Sequence, residues 1–246
     1  MLIDTHCHLH HCINTDFKKI LLESKKAGVD AFIASSAKPS DVVPILELTK
    51  AKNIFATLGV HPFYADESFD ISSLAQYLNH PKIVAIGEIG LDFSKKHQVS
   101  IASQTALLEK QLALALDFQK SVVLHCVGKG ASLVLFKALK KFKVQGGVLH
   151  GFSGSFETAQ NFLKLGFKIG FNGNLLKSHF KRVQFLAQKL PADSLLLESD
   201  FPFASFPTDL PKILMVLAQL RQSCPESLEN QIHQNTLEVF HCLFPQ

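Results

Sequence analysis

Nothing in this 246-residue chain approaches the about 18 to 20 consecutive apolar residues that a helix needs to cross a bilayer, which argues against a membrane protein. Its five cysteines, Cys7, Cys12, Cys126, Cys224 and Cys242, contain no C-x-x-C spacing. Their odd number also argues against a disulfide frame or a zinc ribbon, so reduced thiols are expected. No Pro/Gly-rich linker, charge block or low-complexity tract divides the chain, and a single domain over residues 1–246 is expected. Leu2 and Ile3 already read as strand, leaving no room for a signal peptide and pointing to a cytoplasmic protein. Arginine is nearly absent. Arg182 and Arg221 are the only two, both in helix-like stretches away from the strand ends. The bidentate clamps common at phosphate sites are therefore missing, and lysines or metals would have to handle any phosphate. A formal charge of +4 and a pI near 8.7 tolerate a polyanion without demanding one.

What the chain does have is alternation. Short apolar runs near Ile3, Phe32, Ala56, Val84, Val123, Val148, Ile169 and Leu196 are each followed by helix-like sequence, and continuous runs of this kind suit parallel strands covered on both faces. One helix is expected from Asp16 as N-cap to Lys25 and Lys26, with Gly28 as its stop signal. A second carries Ile101, Thr105, Leu108, Leu112 and Ala115 at spacings of three and four, a face that must pack against something. A third has Glu157 in its first turn after Ser153 or Ser155 and closes at Gly166. Eight strand–helix units predict a (β/α)8 TIM barrel, for which 47% hydrophobic residues supply ample core.

Five of the runs end in potential metal ligands. Leu2 and Ile3 lead into Asp4-Thr5-His6-Cys7-His8, Ile83 to Ile86 into Gly87 and Glu88, Val122 to Leu124 into His125, Val148 and Leu149 into His150, and Leu195 to Leu197 into Glu198-Ser199-Asp200. Residues two apart on a strand point the same way, so His6 and His8 can present imidazoles to one ion. An open doubly wound sheet would gather ligands at one crevice, whereas a closed barrel brings the ends of the first, fourth, fifth, sixth and eighth strands around one mouth. Taken singly, Glu88 or Asp200 reads as a surface or structural acid, and His125 or His150 as a hydrogen-bonded core histidine. Together they read as a site. Cys7 and Cys126, at neighbouring strand positions, should point away from it and act as small buried hydrophobes.

These motifs, with Gly-Val-His-Pro at Gly59 to Pro62, Gly-Glu-Ile-Gly-Leu-Asp at Gly87 to Asp92, His-Gly-Phe-Ser-Gly at His150 to Gly154 and Leu-Glu-Ser-Asp at Leu197 to Asp200, resemble the TatD-type metal-dependent deoxyribonucleases. The run from His150 through Gly170 is most similar to the YjjV-like branch. The resemblance implies a hydrolase with two divalent ions, zinc, manganese, nickel or magnesium. In it His6 and His8 hold one ion, His125 and His150 hold the other, Glu88 bridges them, and Asp200 completes the first site and takes a proton from the attacking water. It further implies a substrate-binding role for His61, and Asp4 as an orienting group, with Asp92 and Glu198 able to serve similarly. His10 and His11, beyond the strand end, are expected as loop residues rather than ligands.

The chain departs from the family pattern in two places. Where relatives commonly carry an arginine after the fifth-strand histidine, this chain has Cys126-Val127-Gly128-Lys129, so Lys129 is the expected substrate-binding charge. After Asp200 a basic loop is replaced by Phe201-Pro202-Phe203-Ala204-Ser205-Phe206-Pro207, whose rings either stack on bases or pack the loop onto the barrel rim. The expected activity is phosphodiester hydrolysis, acting on DNA ends. The alternatives are hydrolysis of a small amide, lactone or phosphoester, and a non-catalytic metal- or partner-binding scaffold, against which the retention of Glu88, Asp200 and four histidines argues.

Overall fold

A computed structural model describes residues 1–12, 16–94 and 99–241; Cys242, one of the expected thiols, lies outside the described residues. The eight strands are β1 (Leu2–Cys7), β2 (Val29–Ser35), β3 (Ile54–Leu58), β4 (Ile83–Asp92), β5 (Ser121–Val127), β6 (Gly147–Leu149), β7 (Phe167–Phe171) and β8 (Leu195–Leu197). They pair in parallel and in chain order from β1 to β8, and each contains the apolar run assigned to it from sequence. The last step of the ring, β8 back to β1, is made by side chains and turns. Thr5 Oγ1 donates to the Leu197 carbonyl at 2.9 Å, Ser199 N donates to Asp4 Oδ1 at 2.8 Å, and Asp200 N donates to the His6 carbonyl at 2.9 Å. Asp4 thus fastens the first strand to the turn that carries Asp200.

The helices, among the described residues, are α1 (Phe17–Lys26), α2 (Val42–Leu48), α3 (Ala75–Leu78), α4 (Ile101–Asp117), α5 (Ala131–Phe142), α6 (Phe156–Leu163), α7 (Lys181–Lys189), α8 (Leu210–Arg221) and α9 (Pro225–Val239). α1 starts after Asp16 and ends before Gly28, whose φ of +91° suits the residue that breaks a helix. Of the two candidate caps for α6, Ser155 is the one used, accepting from Thr158 N at 3.1 Å. Two expectations need correction. After β3 the chain makes 3-10 turns and only the four-residue α3 before β4 begins. On α4, Leu108, Leu112 and Ala115 are buried as expected, but Ile101 is exposed because it opens the helix. Gln104 and Gln111 fill the packing face instead.

Inside the barrel, Ile3, Ile33, Phe55, Val84, Val123, Val148 and Leu196 meet in one cluster with Val239 and Phe240 from the end of α9. Residues from different strands converge in this way only within a ring, so the interior is packed rather than open. A larger cluster fills the shell between strands and helices. The buried histidines and the carboxylates facing them gather instead at the C-terminal ends of the strands.

The rim depends on close backbone approach at Gly90, midway between Glu88 and Asp92. Its φ is +140°, and a Cβ there would sit 2.0 Å from the His125 carbonyl oxygen. Gly90→Ala is expected to destabilise the protein by about 3 kcal/mol or more through that clash, lowering the melting temperature by about 6 to 12 °C. Calorimetry checks this; an unchanged melting temperature would show that β4 and β5 can separate without cost.

Candidate metal centre

Ser35, the last residue of β2, orients the first two histidines. Its carbonyl accepts from His8 Nδ1 at 2.9 Å, and its hydroxyl lies 3.0 Å from His6 Nδ1 while receiving a bond from Thr57 Oγ1 at 2.9 Å. With both Nδ1 atoms engaged, both Nε2 atoms face carboxylates. His6 Nε2 lies 3.6 Å from Glu88 Oε2 and 3.7 Å from Asp200 Oδ1, and His8 Nε2 lies 3.4 and 3.9 Å from the same two oxygens.

The other oxygen of Glu88 faces a different set. Oε1 lies 2.6 Å from His150 Nε2, 3.0 Å from His125 Nδ1 and 3.4 Å from His61 Nε2. His125 is turned this way because its Nε2 donates to Asp92 Oδ2 at 2.9 Å, and Asp92 is itself held by Ser94 N at 2.8 Å. Opposite β4, Glu198 accepts from Gly151 N at 2.5 Å and stands 3.8 Å from His150 Nδ1. His61 Nδ1 accepts from Phe63 N at 3.2 Å, which puts the ring proton on Nε2.

Electrostatics at this cluster follow from burial and from Glu88. Burial opposes a charge on Glu88, yet His150 and His61 beside it hold its carboxyl well below the usual carboxylate range. Burial also lowers His150, but the Glu88 charge and hydrogen bond overcome it and lift the imidazole to about 10. The same contest raises His8 and His125. For His6, burial and the neighbouring His150 both act downward, and burial takes His61 to about 3. Burial pushes Glu198 up to about 8 and Asp4 to about 7, and raises Asp200. A buried anion flanked by imidazoles thus calls for positive charge, in the form of protons or cations.

The residues fit divalent ions. His6 Nε2 is buried without a hydrogen-bond partner between oxygens of Glu88 and Asp200, and an orphaned lone pair there suits a Lewis acid. Two sets that include His6 bring one ligand atom per residue within 4.8 Å of one another, His6, His8 and Asp200, and His6, Glu88 and His150; in a further set, His61, Glu88 and His125, the His61 nitrogen facing Glu88 carries the ring proton. Imidazole and carboxylate together suit zinc, manganese or nickel.

The remaining candidates fall in instructive places. His10 and His11, expected as plain loop residues, lie on the 3-10 turn Leu9–Cys12, and their ring nitrogens also come within 4.8 Å of one in His8; His10 Nε2 is 3.4 Å from Asp41 Oδ2. Cys7 donates to the Ile33 carbonyl, and burial pushes the Cys126 thiol up to about 12, so both are inert neutral thiols. In the loop after Asp200, Phe201 is buried, whereas Phe203 is 67% exposed with its ring 5.3 Å from His8. Asp200 itself has φ +51°, a left-handed conformation that turns the chain at the mouth. Lys129 lies exposed just beyond β5.

Arg182 requires a correction. Expected on a helix remote from the strand ends, it lines a cleft of about 360 Å³ together with Cys126, Lys129 and Ser153. It stands in the first turn of α7 and shares that cleft with the residues that follow His125 and His150.

Three positioning residues escaped the sequence reading. Ser35 belongs to the same pattern of apolar run followed by polar residue, and that pattern could have found it. Gln104 and Gln111 reach from α4 to clamp the backbone at the rim. Gln104 Oε1 accepts from Asp92 N at 2.8 Å, and Gln111 Oε1 accepts from Val60 N at 2.7 Å, one residue before His61.

Because Asp92 fixes the His125 ring, Asp92→Ala is expected to weaken metal binding at the His125 side of the cluster by about 10- to 100-fold. Competition against a chromophoric chelator measures it, and unchanged affinity would remove Asp92 from the centre.

The chain is similar to known proteins over nearly its whole length. The family described as TatD related DNase matches residues 3–241. The uncharacterized metal-dependent hydrolase YjjV of Escherichia coli K12 is 32% identical over 97% of this chain and 97% of its own length. The crystal structure of YjjV covers 99% of this chain and 98% of its own with a TM-score of 0.90. The 3'-5' ssDNA/RNA exonuclease TatD of Edwardsiella piscicida is 30% identical over 92% of this chain and 93% of its own. The human 3'-5' RNA nuclease TATDN2 is 31% identical over 86% of this chain but only 30% of its own length.

Proposed function

The chain belongs to the family of TatD-related DNases and is a metal-dependent hydrolase, and from that premise we propose that it is a phosphodiesterase acting on DNA ends through a binuclear centre. The observation that carries this reading is the division of Glu88 between two histidine sets, Oε2 toward His6 and His8 and Oε1 toward His125 and His150. His6, His8 and Asp200 would hold one divalent ion, His125 and His150 the other, with Glu88 shared. When bound, such a pair lowers the pKa of a water and stabilises charge on the attacking and leaving oxygens.

The chain's own residues do the rest. Asp200 Oδ1 faces His6 and His8, leaving Oδ2 to accept the proton of the attacking water. His61, neutral and protonated at Nε2, donates to a phosphate oxygen. Asp4 holds the Asp200 turn, and Glu198, held by Gly151 N, stands 3.8 Å from His150 Nδ1. Lys129 meets the substrate backbone as a point charge. Phe203, exposed beside His8, offers a face on which a terminal base stacks. A buried free thiol at Cys7 and a part-buried one at Cys126 suit a reducing, cytoplasmic setting.

A metal-reconstituted assay comparing single-stranded DNA, duplex DNA, RNA and small model esters tests the proposal. Few cations stand at the mouth among the described residues, so single-stranded or frayed ends should be preferred. Binding to a catalytically dead variant should depend on salt with a slope of about one to three released ions. Turnover of small esters or amides with none of the polynucleotides would refute it, as would tight duplex binding with a slope for six or more phosphates.

A further inference from the structure

Of the chain's two arginines, one is spent on structure. Arg221 Nη1 donates to the carbonyls of Ala187 at 2.7 Å and Leu190 at 2.8 Å, tying α8 to the end of α7. Arg182 makes no comparable bond among the described residues. Among the described residues neither it nor Lys129 forms an ion pair, yet both line the same cleft of about 360 Å³, a volume at the small end of ligand sites of about 300 to 1,000 Å³. Two unpaired cations facing one concavity repel each other unless an anion sits between them.

The walls of the cleft explain where that anion would come from. One wall is Cys126 to Gly130, directly after His125. The other is Phe152 to Ser155, directly after His150 and Gly151. Both are continuations of the segments that carry the histidines facing Glu88 Oε1, so the cleft's walls begin one residue beyond His125 and two beyond His150. The first wall is fixed in place: Gly128 has φ +94°, and a Cβ there would lie 2.5 Å from the Phe93 carbonyl carbon. Phe203 sits elsewhere on the rim, against His8 and His11.

We propose that this cleft is a phosphate subsite, in which Arg182 and Lys129, with the Ser153 hydroxyl, hold the phosphodiester of the nucleotide adjoining the one that is cut. The inference rests on the phosphodiesterase reading and adds to it a substrate requirement. The strand must extend by at least one phosphate past the scissile bond on the β5–β6 side. Arg182, on a helix and not on a strand end, then becomes a specificity-determining residue for polynucleotides over isolated phosphoesters.

The test compares metal-loaded wild type with Arg182→Gln and Arg182→Lys on a single-stranded thymidylate octamer. Arg182→Gln should raise KM about tenfold, as expected for losing a charge-assisted contact, and reduce the salt slope of binding by about 0.7. Arg182→Lys should keep the slope while recovering only part of KM, because an ammonium replaces the charge but not the fork. An unchanged KM and slope in Arg182→Gln would overturn the subsite, as would a loss confined to kcat. If wild type turns over no oligonucleotide, the phosphodiesterase reading fails, and calorimetric titration with thymidine monophosphate judges the cleft separately. Binding weakened severalfold in Arg182→Gln supports the subsite, and equal binding in the two proteins refutes it.

Discussion

Glu88→Ala is expected to empty the centre of metal at both positions and to abolish turnover. One carboxylate offers its two oxygens to different histidines, Oε2 at 3.4 Å from His8 Nε2 and Oε1 at 2.6 Å from His150 Nε2. Two divalent cations about 3.5 to 4 Å apart repel strongly, and a carboxylate shared between them is what makes double occupancy tolerable. Without it, neutral imidazoles and Asp200 alone would have to balance four positive charges. His125→Ala, by contrast, removes one ligand from one side and should mainly weaken the second ion. Elemental analysis of the two variants after dialysis distinguishes these outcomes; equal metal in Glu88→Ala and wild type would remove the bridge from the account.

At Asp200 the expected effect falls on chemistry more than on binding. Asp200→Asn keeps an amide oxygen to face His6 and His8 but cannot accept a proton, so kcat should fall about 10²-fold or more while much of the metal remains. Asparagine is the informative substitution for a second reason. The residue has φ +51°, a conformation asparagine adopts more readily than most residues. The backbone bond from residue 200 N to the His6 carbonyl at 2.9 Å therefore survives. Activity within a few-fold of wild type, with metal bound, would exclude Asp200 as the base.

Most of the architecture was legible from apolar runs, because a strand buried on both faces leaves an unbroken hydrophobic signature and a ligand at its end interrupts it. The runs ending at His6, Glu88, His125, His150 and Asp200 are of this kind, and the parallel order of the strands gathers their ends at one rim. What stayed hidden depends on distance through space. Ser35 matters because β2 lies beside β1, Gln104 because α4 folds back over the end of β4, and Arg182 because α7 begins at the cleft shared with the residues that follow His125 and His150. No local period encodes these meetings. The loop after Asp200 was legible only as a choice, and the fold divides it: Phe201 packs, while Phe203 is exposed.

The central claim is that Glu88 is shared by two ions, and anomalous diffraction from crystals grown with manganese or zinc tests it most directly. Two peaks are predicted, one among His6, His8 and Asp200 and the other beside His125 and His150, with one Glu88 oxygen on each. A single peak, or two peaks with Glu88 bound to neither, would contradict the account.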